Sequence, residues 1–138
     1  MTYQDKSEQC AANIYNHLKS RIKSKDKLAK FTWTKKKFIL WYSLQDKTCS
    51  YCGCEKEIIE KFYDATKNQN KRPKRGKSLE VDRKEDKPYS ADNCCLACYW
   101  CNNAKTDVFT YEEFKPIGKA IGDVIRERIK NNGKVVRL

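Results

Sequence analysis

The stretch Leu79–Phe109, LEVDRKEDKPYSADNCCLACYWCNNAKTDVF, decides how this chain reads. Leu79–Asp82 is a short run of β character closed by the pair Asp82-Arg83. Lys84–Asp92 is a polar turn containing Pro88, and Cys94–Ala97 reads as a second strand. Asn93 stands at its entrance. Cys98-x-x-Cys101 follows, with Asn102 and Lys105 directly behind it, and a helix is expected to begin near Trp100 or Cys101. Two strands and a helix in this order give an α+β core.

The thiols extend the pattern upstream. Cys49-x-x-Cys52 lies in QDKTCSYCGC, where Gly53 provides for a tight turn, and it pairs with Cys98-x-x-Cys101 across 45 residues. A two-residue spacer lets both sulfurs of a pair converge on one ion, and four thiolates make a closed tetrahedral site. The set Cys49, Cys52, Cys98 and Cys101 is therefore expected to hold a structural Zn²⁺, with no position left open for water. Cys54 and Cys94 lie near enough to compete as ligands. Cys94 and Cys95 are neighbours in a strand and should face opposite ways, so one of them is expected in the core. Only Cys10 lies upstream of Cys49, so a second zinc is not expected.

Charge sets the class of partner. The net charge is +12, and the Lys and Arg are clustered. Lys19–Lys37 holds nine of them against one acid, and Lys67–Lys77 holds six and none. Cations so grouped suit a polyanion, because neutralising phosphates releases condensed counterions. A solubility surface is the alternative, and the clustering argues against it. Charged residues make up 35% of the chain, which leaves room for only a modest core. No apolar run is long enough to span a membrane, and MTYQDKSEQC lacks the apolar segment of a signal peptide, so a cytoplasmic protein without a membrane partner is expected. In that reducing setting eight cysteines point to metal ligation and buried thiols rather than disulfides.

The flanks read as supports. Residues 7 to 24 form a helix capped by Ser7, with Ile14, Leu18 and Ile22 on one face, and His17 reads as a surface residue. After a loop at Lys25–Lys30, Thr34 caps a helix over Lys35–Leu44 in which Phe38, Trp41 and Tyr42 form a core face or, less simply, a base-stacking platform. Glu55–Tyr63 is a short helix. Lys67–Lys77 (KNQNKRPKRGK) is a flexible loop without an apolar anchor, and Lys71, Arg72, Lys74, Arg75 and Lys77 are candidate nucleic-acid contacts. Thr110-x-x-Glu113 is a capping-box signature. Because proline suits the first helical turn, a turn at 111–115 and a helix from 116 to 131 are expected, with Ile117, Ile121, Val124, Ile125 and Ile129 as its apolar stripe and Gly133 as its stop.

The run Val81-Asp82-Arg83, then Asn93, then Cys98-x-x-Cys101-Asn102-x-x-Lys105 resembles the HNH (ββα-metal) endonuclease superfamily. Most members carry Asp-His first, then Asn, then Cys-x-x-Cys followed by His or Asn. Here those positions read Arg83, Asn93 and Asn102, similar to an Asp-Arg variant found in a restriction endonuclease. The likeness spans roughly residues 31 to 125, including Phe38–Leu44 (FILWYSL), Cys49–Gly53, Leu96–Cys98 and Ile117–Ile121. It implies one nuclease domain over 1–138, with basic helices to 45, zinc knuckles and ββα core over 46–109, and a final helix and tail over 110–138. It also implies a double-stranded DNA partner, and analogy with enzymes that cut palindromic sites adds a homodimer.

The chemistry can be argued beside the resemblance. Hydrolysing a phosphodiester needs an activated water, a stabilised pentacovalent charge and a protonated leaving oxygen. Asp82 is a hard oxygen ligand suited to Mg²⁺ or Mn²⁺, and the family's last position implies that Asn102 adds a neutral second ligand. Arg83 stays protonated and cannot be the base, but its fork suits the transition-state phosphate. The resemblance makes Tyr51 the candidate base, with Tyr42 and Tyr99 as rivals that read as packing residues. Asn93 ties the loop between the strands, and Lys105 is expected on phosphate. Two other readings share these residues: a zinc-containing nucleic-acid-binding module without catalysis, and a nuclease acting on RNA.

Overall fold

The computed structural model describes residues 2–22 and 31–135. The loop expected at 25–30, the helix end expected at 23–24 and the last three residues of the tail lie outside the described residues. The chain divides into two compact units, Met1–Asp46 with Lys87–Cys94, and Lys47–Asp86 with Cys95–Leu138.

The first unit is built on aromatic packing. Helix α1 (Tyr3–Arg21) begins earlier than the Ser7 cap predicts. Its buried line is Ala11, Tyr15 and Leu18, continued by Ile22, while Ile14 is only half-buried. Tyr15 takes the central place because its ring meets Phe31 and Phe38 at centroid distances of 5.6 and 5.7 Å. His17 is exposed, as read. Helix α2 (Lys35–Leu44) starts where Thr34 predicts, its side-chain oxygen accepting from the Lys37 N–H. Phe38, Trp41 and Tyr42 are buried beside Trp33, so they are core and not a stacking platform. Burial pushes the Tyr42 phenol up to about 12, and packing is its role. The returning segment Lys87–Cys94 bridges Phe31 through Tyr89. Asn93 ties it, donating from Nδ2 to the carbonyls of Lys87 at 2.9 Å and Pro88 at 3.2 Å.

The second unit carries the ββα core. Cys49–Cys54 folds as a knuckle, with Gly53 at φ +72 and its N–H on the Cys49 carbonyl at 2.9 Å. Helix α3 (Lys56–Thr66) follows. Strand β1 (Glu80–Arg83) pairs with β2 (Cys94–Ala97), one residue later at its start than Leu79 predicts. Cys94 and Cys95 are both buried, so the expectation that one of the two faces the core is too small. Helix α4 (Tyr99–Lys105) is capped by the Cys98 side chain.

The final helix corrects two expectations. Helix α5 (Tyr111–Lys130) starts directly after Thr110, where both halves of the capping box form, and runs through Pro116. The missing proline N–H costs only the bond to the Glu112 carbonyl, which lies in the exposed first turn. Its buried line is Phe114, Gly118, Gly122 and Ile125, while Ile117 and Val124 are 43% and 53% exposed. The two glycines turn this face inward because they let the helix press against the knuckle. A Cβ on Gly118 would stand 2.5 Å from the Tyr51 Cβ, and one on Gly122 would collide with the Cys52 carbonyl. Gly133 (φ +80) closes the end as predicted, its N–H bonding the Arg128 carbonyl at 2.7 Å. No helix among the described residues is long and apolar enough to cross a membrane.

Candidate active site and metal centre

Four thiols mark the centre of the second unit. The Sγ atoms of Cys49, Cys52, Cys98 and Cys101 are buried and lie within 4.8 Å of one another. A tetrahedral ion with bonds near 2.3 Å to sulfur places its ligands about 3.8 Å apart, and Cys52 and Cys98 stand at 3.9 Å. Backbone N–H groups of Cys52 and Cys101 point at the first sulfur of each pair, at 3.5 and 3.4 Å, and such donors favour the thiolate. Hydrogen bonds among the thiols push the Cys52 thiol down, with Cys101 the largest cause, and push Cys101 up, with Cys49 the largest cause. Only a bound cation satisfies four thiolates at once, so the donor set fits an ion such as zinc. Cys54 is fully buried beside Cys52 but stands outside the converging four, which answers its candidacy as a ligand.

The carboxylate lies one strand away. Asp82 is 7% exposed, and its Oδ2 accepts from the Tyr51 hydroxyl at 2.5 Å. Lys105 is only 2% exposed. Its ammonium sits 3.4 Å from the same oxygen and donates to the Arg83 carbonyl at 2.7 Å. Lys105 is thus the internal counter-ion of Asp82, turned inward onto Asp82 and the Arg83 carbonyl where a phosphate contact is expected. Burial nonetheless raises the Asp82 pKa, with Tyr51 and Lys105 pulling the other way. Tyr51 is itself buried, between the rings of Tyr111 and Phe114 at 5.3 Å each. Burial and the Asp82 bond push its phenol well above the usual tyrosine range, so in this state it keeps its proton. Cys95 adds a thiol 3.7 Å from the phenol oxygen.

A second group sits beside the first. Glu80 precedes Asp82 by two on β1, hence on the same strand face. Asn102 donates from Nδ2 to Glu80 at 3.0 Å, one turn before Lys105 on α4. Arg75 grips Glu80 with Nε and Nη2 at 2.9 Å each and lies over the Tyr99 ring. Arg75, expected on nucleic acid, is bound to Glu80 instead, and Tyr99 packs beneath it in keeping with its reading as a packing residue. Lys71, Arg72, Lys74 and Lys77 remain exposed. Their loop is anchored, contrary to the reading of a loop without an apolar anchor: Gly76 is buried against Trp100, and Pro73 receives the Tyr63 hydroxyl at 2.5 Å. Arg83 leans on Asp86 at 3.3 Å and Asp107 at 3.5 Å, both of them exposed acids.

No family model matches the chain, and no curated protein matches it. A solved structure does. The chain is similar to the rare-cutting HNH restriction endonuclease PacI, with 29% identity and a TM-score of 0.59, over 93% of this chain and 82% of that one. The core is of the HNH (ββα-metal) type. With that likeness, the ββα arrangement of β1, β2 and α4 beside a four-cysteine cluster is the HNH-type core that the motif spacing predicts. The structure brings Tyr51, Asp82, Arg83 and Lys105 together and places Asn102 beside Glu80. Asn93 stands in the first unit, where it ties the segment after β1. Glu80 and Cys95 are absent from the motif. Glu80 was findable, since i and i+2 share a strand face. Cys95 carries no comparable signal.

Proposed function

We propose that this chain is a metal-dependent endonuclease that hydrolyses phosphodiester bonds of double-stranded DNA, restriction-like and acting as a homodimer. The observation that carries this reading is the buried Asp82 carboxylate, shared by a phenol and an ammonium, one strand from a four-thiol centre in an HNH-type core. Zn²⁺ at Cys49, Cys52, Cys98 and Cys101 serves as the structural metal. The likeness to PacI supports DNA as substrate.

Asp82 and Asn102 would hold a catalytic Mg²⁺ or Mn²⁺. Among the described residues, Asp82 Oδ1 and Asn102 Oδ1 carry no hydrogen bond, and two protein oxygens suffice for an ion that keeps most of its waters. When bound, the ion supplies positive charge to the phosphate and to the leaving oxygen. Arg83 holds the phosphate through its guanidinium, which is tied otherwise to exposed acids that yield readily. Tyr51 would act on the attacking water only as the phenolate: its O–H would leave Asp82 Oδ2 and pass its proton to solvent, and the positive charge of Arg83 and of the bound cation would favour that ionised form. Asn93 keeps the inter-strand segment in shape. Lys71, Arg72, Lys74 and Lys77 follow the phosphate backbone.

The firm grip on the Tyr51 proton favours one second reading, a zinc-containing DNA-binding module that does not cut. Plasmid and RNA substrates incubated with Mg²⁺ or Mn²⁺, with Asp82→Ala as control, separate the possibilities. The endonuclease reading expects metal-dependent cleavage of DNA that Asp82→Ala abolishes. Binding without cleavage under all conditions supports the module, and preferential cleavage of RNA replaces the substrate.

A further inference from the structure

We propose that Glu80, held by Arg75, is a positioning residue that fixes the carboxamide of Asn102 with its oxygen directed to the catalytic cation. This rests on the assignment of Asn102 as a cation ligand in the endonuclease reading.

The argument begins with what each group can do. A carboxamide has two ends of nearly equal shape, one that only donates and one that only accepts. A cation can use only the oxygen. An asparagine free to turn therefore presents the wrong end part of the time, and the site needs something that tells the ends apart. Glu80 does so. An ionised carboxylate is acceptor-only, so the atom of Asn102 that stands 3.0 Å from Glu80 Oε1 must be the NH₂. The oxygen is then directed away from Glu80.

Glu80 must stay in place for this to work. Arg75 secures it, with two parallel bonds of 2.9 Å to the two carboxylate oxygens. Arg75 is in turn held, its guanidinium 4.7 Å above the Tyr99 ring and Asn70 Nδ2 on its backbone carbonyl at 3.0 Å. The bidentate pair also answers an objection. A lone carboxylate two residues from Asp82 would itself attract a cation, but Glu80 has its charge matched and both oxygens engaged. It orients a ligand and does not replace one. A series of fixed contacts thus runs from the root of the basic loop through Arg75 and Glu80 to Asn102.

The test measures cation binding directly. Zinc-loaded protein is titrated with Mn²⁺, and binding is read as loss of the free-ion electron paramagnetic resonance signal. Asp82→Ala sets the floor. Glu80→Gln offers Asn102 an amide that can face either of its ends, and it is expected to weaken Mn²⁺ binding about tenfold, equivalent to about 1.4 kcal/mol. Lost charge alone would also weaken binding, so the same change is made in an Asn102→Asp background. A carboxylate has equivalent oxygens and needs no orienting, and there Glu80→Gln is expected not to weaken Mn²⁺ binding. Melting of each zinc-loaded variant confirms that it is folded. Equal Mn²⁺ affinity of wild type and Glu80→Gln overturns the proposal, as does equal weakening in both backgrounds or a wild type that binds no Mn²⁺. Failure of wild type to cut DNA while the Mn²⁺ pattern holds overturns the nuclease reading and leaves the positioning role supported.

Discussion

At the scale of single residues, Lys105 departs furthest from what its place in the motif suggests. A lysine three positions after Asn102 invites a phosphate, yet it is 2% exposed with its ammonium on Asp82 and the Arg83 carbonyl. A buried ion pair contributes little net stability, but removing one partner leaves the other uncompensated. Lys105→Met keeps the stem and deletes the charge, and it is expected to cost about 3–5 kcal/mol, read by denaturant unfolding of the zinc-loaded protein. A loss under about 1 kcal/mol would show that the ammonium is not engaged as described. Asp82 gives a pH prediction from the same contact. Its folded pKa is raised above the ordinary 3.8, chiefly by burial. Neutral Asp82 is therefore favoured by folding. That contribution is fully present below the usual carboxylate pKa and is lost as pH rises through the raised folded value. Without divalent ions, wild type should lose melting temperature relative to Asp82→Asn as pH climbs from about 4 toward neutrality. A difference that is flat, or that grows in favour of wild type, would contradict it.

At the scale of elements, helix α5 acts on the site through what it lacks. Gly118 and Gly122 face Tyr51 and Cys52, and a methyl group at either meets atoms of the knuckle. Alanine gains about 1 kcal/mol of helix propensity over glycine. At Gly122 the obstructing atom is the backbone carbonyl oxygen of Cys52, itself a thiol ligand, which cannot turn aside as a side chain does. Gly122→Ala is thus expected to be a net loss of about 2 kcal/mol and to speed zinc release to a chromogenic chelator. Unchanged release would mean that the helix carries no load on the knuckle. This helix also shows what a sequence displays and what it conceals. Its start was marked by Thr110 and Glu113, because a capping box is a contact within four residues, yet Pro116 drew the expected start five residues too late. Its buried face was not legible, because four isoleucines and a valine outweigh two glycines in any apolar stripe, and only the knuckle opposite makes the glycines matter. The site divides the same way. Cys49, Cys52, Cys98, Cys101 and the Asp82-Arg83 pair are readable as spacing, whereas Lys105 and Arg75 turn inward through α4 and Glu80, contacts that no local pattern encodes.

At the scale of the whole molecule, the net charge of +12 sets the expectation of salt-sensitive DNA binding, and the structure separates exposed cations from internally paired ones. Each phosphate contact adds about 0.9 to the slope of log affinity against log salt. Lys71, Arg72, Lys74 and Lys77 are exposed along one loop, so changing Lys74 to Ala should lower the slope by nearly that amount and leave folding alone. Arg75 lies in the same run of sequence but is consumed by Glu80 and Tyr99. Arg75→Ala should leave the salt slope close to that of wild type while weakening the loop it anchors. Fluorescence anisotropy of a labelled duplex between low and physiological salt, with Ca²⁺ in place of Mg²⁺ to block cutting, measures both. A fall in slope for Arg75→Ala equal to that for Lys74→Ala would mean that Arg75 leaves Glu80 for the phosphate when DNA arrives. The charge run would then be one continuous contact surface. A fall for Lys74→Ala alone divides the loop into an outer row that meets DNA and an inner arginine that holds the protein together.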